Sequence, residues 1–418
     1  MSALRAARVA ALLLLAPPAG AVVDVVPRVG FDFEHFGESY RLSEDQDTLA
    51  TIDDYGTLVG LTVKTPWEAS RFRVDADLHV GRQSRRVRLD FEGRLERGAN
   101  TFEVVHRGAL RTYDEDGDYA VAGDSVEESL ELALERRLGG SVRLRVRESV
   151  DVTRYDEPDE YNLNMVLHRP GVEARFRFGD LDEVRVGYRP GWRSVPDSSA
   201  LDYRRHTLQA SASLLLGGST SLDVSSQAER RRYDATSTRE SSWEQRGDLR
   251  FEFGSGERMT FRVVHENEMV RFDDPDELDF DRDWARTGFQ VEAHRTARQD
   301  FSVMPVYAFL SSPDAPDEEY TETGIEVGMD WRIGSSAWVS VTEEVGRRDY
   351  EVGSEGEDSA EDAAFSDYLY NRLTVLVSAE IAGNVGLNLF ANWQPEDHRA
   401  NEHDTDTKIV SGGVEYRF

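Results

Sequence analysis

The chain has 418 residues and no cysteine. That absence excludes a disulfide framework, a thiolate metal centre and a cysteine nucleophile. It also excludes haem attached through a C-x-x-C-H motif, so any haem would belong to another protein. Past the N-terminal segment, no apolar run approaches the ~18 residues that a membrane-crossing helix requires. Entry into a membrane would therefore use strands, since only helices and closed barrels satisfy every backbone group in lipid. Basic residues are scarce as well: 49 Lys and Arg stand against 80 Asp and Glu, a formal net charge of −31. Nucleic acid is thereby excluded as a partner, because phosphate binding rests on basic patches. Acidity alone does not choose a class, as a halophilic soluble protein is equally acidic.

What is present begins with an export signal. Arg5 and Arg8 form a positive n-region, Val9 to Ala16 a short apolar stretch, and Pro17 and Pro18 break it. Ala19-Gly20-Ala21 is a small-x-small cleavage site, with Ala19 and Ala21 as its two small residues. Residues 1–21 are expected to leave as a signal peptide. The mature chain, 22–418, is expected to be one domain with no separate plug or periplasmic domain.

From Arg28 onward one theme repeats: an alternating run, a short Gly/Ser/Asn turn, another alternating run, then a longer acidic loop. Phe72, Val74, Ala76, Leu78 and Val80 alternate with Arg73, Asp75, Asp77 and His79. Val87, Leu89 and Phe91 alternate with Arg88, Asp90 and Glu92. A period of two puts the first set on one face of a strand and the second on the other. Periodicity by itself also fits a soluble sandwich.

Three features separate the two. Short connections such as Arg137–Ser141, Gly217–Ser219 and Gly334–Ser336 alternate with long ones such as Tyr113–Ser125, Asp273–Asp283 and Tyr350–Ser366. Transmembrane barrels have short periplasmic turns and long extracellular loops. All seven tryptophans fall near expected strand ends, where a half-wet ring prefers the membrane interface, although the phase of Trp338 points it inward. Finally, Val414, Tyr416 and Phe418 alternate with Glu415 and Arg417, and phenylalanine is last. This resembles the C-terminal β-signal of bacterial outer-membrane proteins, and the resemblance implies delivery by the barrel assembly machinery.

The expected fold is all-β: a single transmembrane antiparallel up-and-down β-barrel of about 20 strands (18–22) with long acidic extracellular loops. The count treats Glu160 to Phe178 as one strand bent at Arg169-Pro170-Gly171. It also places a bulge or bend at Pro305, which removes a ladder donor. A barrel of that size has a backbone diameter of roughly 40 Å. Its expected lumen-lining residues are Arg73, Asp75, Asp77, Arg86, Arg88, Asp90, Glu92, Arg143, Arg145, Arg175, Arg177 and Asp330. Arginine at the lipid midplane costs ~2–4 kcal/mol, so these should face water.

Other sites fail on chemistry. Asp114, Asp116 and Asp118 begin like a calcium loop, but Tyr119 stands where the turn glycine belongs and no acid closes the loop. The acidic run Asp273 to Asp283 reads as solvated, able to hold divalent cations loosely. His398 and His403 share a loop without a third specified ligand. No catalytic residue, metal centre or cofactor is expected.

The chain resembles porin-type barrels in general and no named subfamily. The resemblance implies a passive channel in the outer membrane, surrounded by lipid and lipopolysaccharide, for small hydrophilic solutes or ions. The alternatives that stay open are a sleeve around a partner, such as an electron-conduit cytochrome or a polysaccharide-export component, and a surface adhesin or rim enzyme. Oligomeric state and solute are not specified by these features.

Overall fold

Runs of period two, rich in Val, Phe, Tyr and Thr and punctuated by Gly, Asn and Asp, favour extended chain over helix. In the computed structural model they form twenty strands. It describes residues 23–418 apart from 44–45, 66–69, 114–122, 160–161, 180–181, 235–236, 238, 255–257, 276–278, 297, 351–366, 382 and 399–403; for 37–43, 46–52 and 70 it describes the backbone alone. Residues 1–21 with Ala19 and Ala21, the Asp114–Asp118 segment, His403 and Trp67 lie outside the described residues.

The strands are β1 (Asp24–Ser43), β2 (Gln46–Lys64), β3 (Ser70–Gly81), β4 (Ser84–Arg97), β5 (Asn100–Tyr113), β6 (Ser125–Arg137) and β7 (Val142–Tyr155). They continue as β8 (Met165–Arg177), β9 (Glu183–Ser194), β10 (Tyr203–Gly217), β11 (Thr220–Tyr233), β12 (Ser242–Gly254), β13 (Met259–Phe272) and β14 (Arg282–Thr296). The last are β15 (Gln299–Ser311), β16 (Tyr320–Ile333), β17 (Ala337–Tyr350), β18 (Tyr368–Ile381), β19 (Val385–His398) and β20 (Thr405–Arg417). Each pairs antiparallel with its neighbour in sequence, and β1 pairs with β20 from Arg28↔Arg417 to Tyr40↔Thr405, which closes the cylinder. Closure leaves no free sheet edge along the shared height of the wall.

The strands are strongly tilted. A line of hydrogen-bonded partners starting low on β1 runs Arg28, Gly60, Asp77, Arg88, Ala109, Glu127, Thr153 and reaches Met165, the first residue of β8 at the opposite rim. Such a climb corresponds to a tilt of ~40° and a diameter of roughly 40 Å. Three short turns at one end use glycine in the left-handed region: Gly98 (φ 63°), Gly334 (φ 69°) and Gly383 (φ 76°).

Side chains that meet across an intervening strand identify the concave face. Arg28 on β1 reaches Asp77 on β3 over Gly60 of β2, and His79 on β3 reaches Asp32 on β1 over Gly56. The opposite phase carries large exposed apolar residues, among them Val87, Leu89, Val303 and Ile325. A continuous apolar belt of this kind marks a surface that water does not cover. It is not uniform: His168 and Glu148 share the outward phase and pair at 2.6 Å, and several arginines point outward near the long-loop rim.

Each of the eight long loops from β5–β6 to β19–β20 is clipped in the same way. The last residue of the rising strand, or the one after it, donates its backbone N–H to a side-chain oxygen of the residue just before the descending strand. The pairs are Tyr113 to Asp124, Tyr155 to Asn164, Val195 to Asp202, Tyr233 to Ser241, Phe272 to Asp281, Ser312 to Glu319, Tyr350 to Asp367 and His398 to Asp404, at 2.6–3.1 Å. Each clip satisfies a donor that the ladder would leave open where the strands part. Six of the eight acceptors are carboxylates, so part of the loop acidity is structural.

Several boundaries differ from expectation. β8 begins at Met165 and runs through Pro170; its ladder to β9 lapses only between His168↔Trp192 and Val172↔Tyr188, where Pro170 lies opposite Pro190 and both lack a donor. There is no bulge at Pro305: the β14–β15 ladder lapses between Gly288↔Val306 and Val291↔Val303 and resumes in the same register. β19 continues past Pro395 to His398, which shortens the last loop. β1 and β2, of 20 and 19 residues, outgrow the other strands, and β2 extends past the end of β3, their pairing stopping at Gly56↔Gly81.

Candidate functional site: the charged inner wall

The inward phase converges on the lumen, and charge there is sorted by position. On β3 and β4, Arg73 lies opposite Glu92, Asp75 opposite Asp90, Asp77 opposite Arg88 and His79 opposite Arg86. Two facing aspartates would repel. Asp75 is held by Arg73 at 2.5 Å and approached by Arg28 at 3.4 Å, while Asp90 is held by Arg88 at 2.6 Å. Arg28, only 14% exposed, is the hub: it grips both Asp77 oxygens at 2.7 and 2.8 Å, donates to Thr62 Oγ1 at 2.9 Å and lies 3.8 Å from Glu415 of β20. Gly60 lets it lie flat, because a Cβ there would press into Arg28 Nε and Asp77 Oδ1.

A second group sits on β7 and β8. Arg143 pairs with Glu135 at 3.0 Å, and Arg145 with Glu103 at 2.9 Å and Glu131 at 3.2 Å. Arg175 is 3.6 Å from Glu173, and Arg177 is 3.0 Å from Glu183. Asp330 stands apart on β16, opposite Asp300 and Ser340. The twelve residues singled out from sequence thus form two clusters, separated by β5 and β6, and one outlier.

The wall is more basic than the sequence reading anticipated. Arg147, Arg169, Arg185, Arg189, Arg193 and Arg205 share the inward phase on β7–β10. Arg175 lies directly opposite both Arg143 and Arg185. Arg147 and Arg189 have no carboxylate within ion-pair distance among the described residues. Half a circumference away, the inward face of β17–β20 is neutral at mid-height, with Trp338, Ser340, Leu376, Ser378, Asn388 and Phe390, while Glu344 and Arg372 lie above this stretch and Glu380, Glu415 and Arg417 below it. Trp338, Leu376 and Phe390 line a hollow of about 670 Å³ that also touches Arg86 and Arg111. The lumen has a guanidinium-rich side and a side that is neutral at mid-height and partly aromatic.

At the long-loop end the inward phase places an aromatic residue at the lip of many strands, among them Tyr113, Tyr155, Tyr203, Tyr233, Tyr320 and Tyr368. Trp284 also faces inward here, opposite Glu268 and Leu310, so it does not belong to an outer belt. Trp192, Trp243, Trp331 and Trp393 are exposed on the outer face. Beside the lip a network is locked down. Tyr370, 2% exposed, donates to Glu322 at 3.0 Å and lies over Gly324 and Gly346. Arg348 meets Glu322 at 2.7 Å with its guanidinium 4.0 Å from the Tyr320 ring. Arg286 on β14 reaches Glu344 on β17 at 2.9 Å, across two strands.

Outside the wall, Arg230 holds the loop carboxyl of Asp273 below the usual aspartate range. Burial pushes the Glu318 carboxyl in the β15–β16 loop upward, against a weaker pull from Arg282. Glu292, His294 and Asp300 gather near the short-turn end, where His294 Nδ1 is 2.7 Å from Asp300 and Arg262 neutralises Glu292 at 3.4 Å. The terminal Val414 and Tyr416 point outward on β20, and Phe418 is strongly exposed.

No protein-family model matches this sequence, and no curated protein matches it either. Solved structures do share its architecture. OccK2 (OpdF) of Pseudomonas aeruginosa is 9% identical with a TM-score of 0.50 over 94% of this chain and 98% of that one. A BenF-like porin from Pseudomonas fluorescens Pf-5 is 11% identical with a TM-score of 0.51 over the same shares. The ferric preacinetobactin receptor BauA of Acinetobacter baumannii is 8% identical with a TM-score of 0.54, over 95% of this chain and 80% of that one. At such identities the likeness establishes the fold: the chain is a closed, 20-stranded antiparallel β-barrel of the architecture seen in porins and a siderophore receptor.

Proposed function

We propose that this chain is a passive channel of a bacterial outer membrane, with the long loops outside the cell and the short turns in the periplasm. Small hydrophilic solutes would diffuse through a wet lumen between a guanidinium wall on β7–β10 and a stretch on β17–β20 that is neutral at mid-height. The observation that carries this reading is the sorting of side chains: ionised residues on the concave face, exposed apolar ones on the convex face. Charges cost little in a water-filled lumen and several kcal/mol in lipid, so this sorting fits a hydrated pore.

Unpaired arginines such as Arg147 and Arg189 give the lumen a transverse field that favours anions. Transport by diffusion needs no catalytic residue, so the reading assigns none. Reconstitution into planar bilayers tests it. Discrete conductance steps with a reversal potential on the anion side of neutrality are expected across a KCl gradient. A barrel that inserts and stays electrically silent overturns the proposal.

A further inference from the structure

We infer that the outward ends of β10 and β11 form a binding site for the phosphate of an outer-leaflet glycolipid. This inference rests on the membrane reading above. Arg204 and Arg232 are direct cross-strand partners on the convex face, and both are exposed. Arg230 follows two residues away on the same face, opposite His206. Like charges set directly opposite one another destabilise a strand pair unless something neutralises them. The only carboxylate engaged with this cluster among the described residues is Asp273, bound to Arg230 at 2.5 Å. Among the described residues Arg204 and Arg232 have none within ion-pair distance, and Asp273 acts on Arg232 only at longer range. Of the other outward cations at this rim, Arg271 is compensated by Asp283 at 2.7 Å, Arg347 by Asp349 at 2.5 Å and Lys408 by Asp406 at 2.5 Å, while Arg85 and Arg154 stand singly, with no second cation opposite them.

Depth supplies the ligand. Arg204 is the cross-strand partner of Trp192, and Arg230 that of Trp243; both rings are exposed on the convex face. Tryptophans so placed mark the headgroup level of a membrane. Below them the same face turns apolar at Leu208, which is 55% exposed. Two guanidinium forks at headgroup depth, with no carboxylate at ion-pair distance among the described residues, match a lipid-borne phosphate: planar donors bind its oxygens in pairs, and the acyl chains lie along Leu208 and its neighbours.

The test uses the full barrel, refolded in a zwitterionic detergent, as wild type, as Arg204→Gln/Arg232→Gln and as the control Arg295→Gln at the opposite end of β14. Folding is scored by the heat-dependent gel shift and insertion by bilayer conductance, so that failure of the membrane reading is seen separately. Each protein is then melted with lipid A, with dephosphorylated lipid A and with inorganic phosphate. Lipid A should raise the melting temperature of wild type and of the Arg295 variant, and the dephosphorylated form should not. Without lipid, the double variant should melt at or above wild type, because the repulsion is gone. With lipid A, it should lose at least half of the rise. An equal rise in the double variant, an equal effect of dephosphorylated lipid, or a full effect of inorganic phosphate alone overturns the inference.

Discussion

The side chains that cross the inner wall need glycines beneath them, and Gly60→Ala isolates that requirement. A methyl group there intrudes on Arg28 Nε and Asp77 Oδ1, so the guanidinium has to lift from its seat. The contacts at risk are the paired bonds to Asp77 at 2.7 and 2.8 Å and the bond to Thr62 at 2.9 Å. Hydrogen bonds to charged groups contribute ~1.5–3 kcal/mol each before screening. Arg73 and Arg88 remain beside the stranded acids and soften the loss, so a destabilisation of ~2–3 kcal/mol is expected. That corresponds to roughly a 30- to 150-fold fall in the folding equilibrium constant. Arg28→Gln should cost a similar amount. The double variant should cost about 1 kcal/mol or more less than the sum, since the two changes break the same contacts. Urea titration of the barrel in vesicles, followed by tryptophan fluorescence, reads all three. Wild-type stability in Gly60→Ala, or strict additivity, would refute the reasoning.

Three further outcomes are expected. Asp281→Ala removes the acceptor for the Phe272 amide, so hydrogen exchange at that amide should accelerate about fivefold or more, matching ~1 kcal/mol, while conductance keeps its unit step. Arg147→Gln/Arg189→Gln should lower the anion-to-cation permeability ratio without abolishing the channel; an unchanged ratio removes these residues from selectivity. Asp273 has a folded-state pKa below its unfolded value, so its pairing with Arg230 stabilises above the ordinary aspartate range of about 4 and fades as pH falls through the folded value. Asp273→Asn should therefore be slightly less stable than wild type at neutral pH and equal to it once the pH has fallen below the folded value, with an effect under ~1 kcal/mol because the carboxylate is about half exposed.

The barrel was legible because lipid and water impose opposite demands on alternate residues of every strand. Parity and the short–long alternation of connections then led to twenty strands, which the structure has. Prolines were only partly legible. Pro170 lies within one strand, as its sequence context indicates, whereas Pro395 continues β19 where a loop is expected, and Pro305 interrupts its ladder without adding the extra residue of a bulge. The glycine seats under Arg28, His79 and Tyr370 were invisible, since they depend on which residue lies opposite which, and one sequence does not specify register between strands. The loop clips had a visible signal: an Asp, Asn, Ser or Glu stands immediately before each descending strand from β6 to β20. In sequence it is indistinguishable from solvated acidity, because an acceptor has no evident purpose until the open amide across the loop is located. The aromatic lip was missed in the same way, as Trp284 looked like an interfacial ring and faces the lumen instead.

The most direct test of the sorted wall exploits the lack of native cysteine. Single cysteines introduced in turn from Arg86 to Glu92 on β4 can be probed, in vesicles, with a membrane-impermeant maleimide and with a lipid-borne quencher. Positions 86, 88, 90 and 92 should react with the aqueous reagent, and positions 87, 89 and 91 should respond to the lipid quencher. Uniform labelling, or apolar positions shielded from both reagents as in a packed interior, would contradict the account.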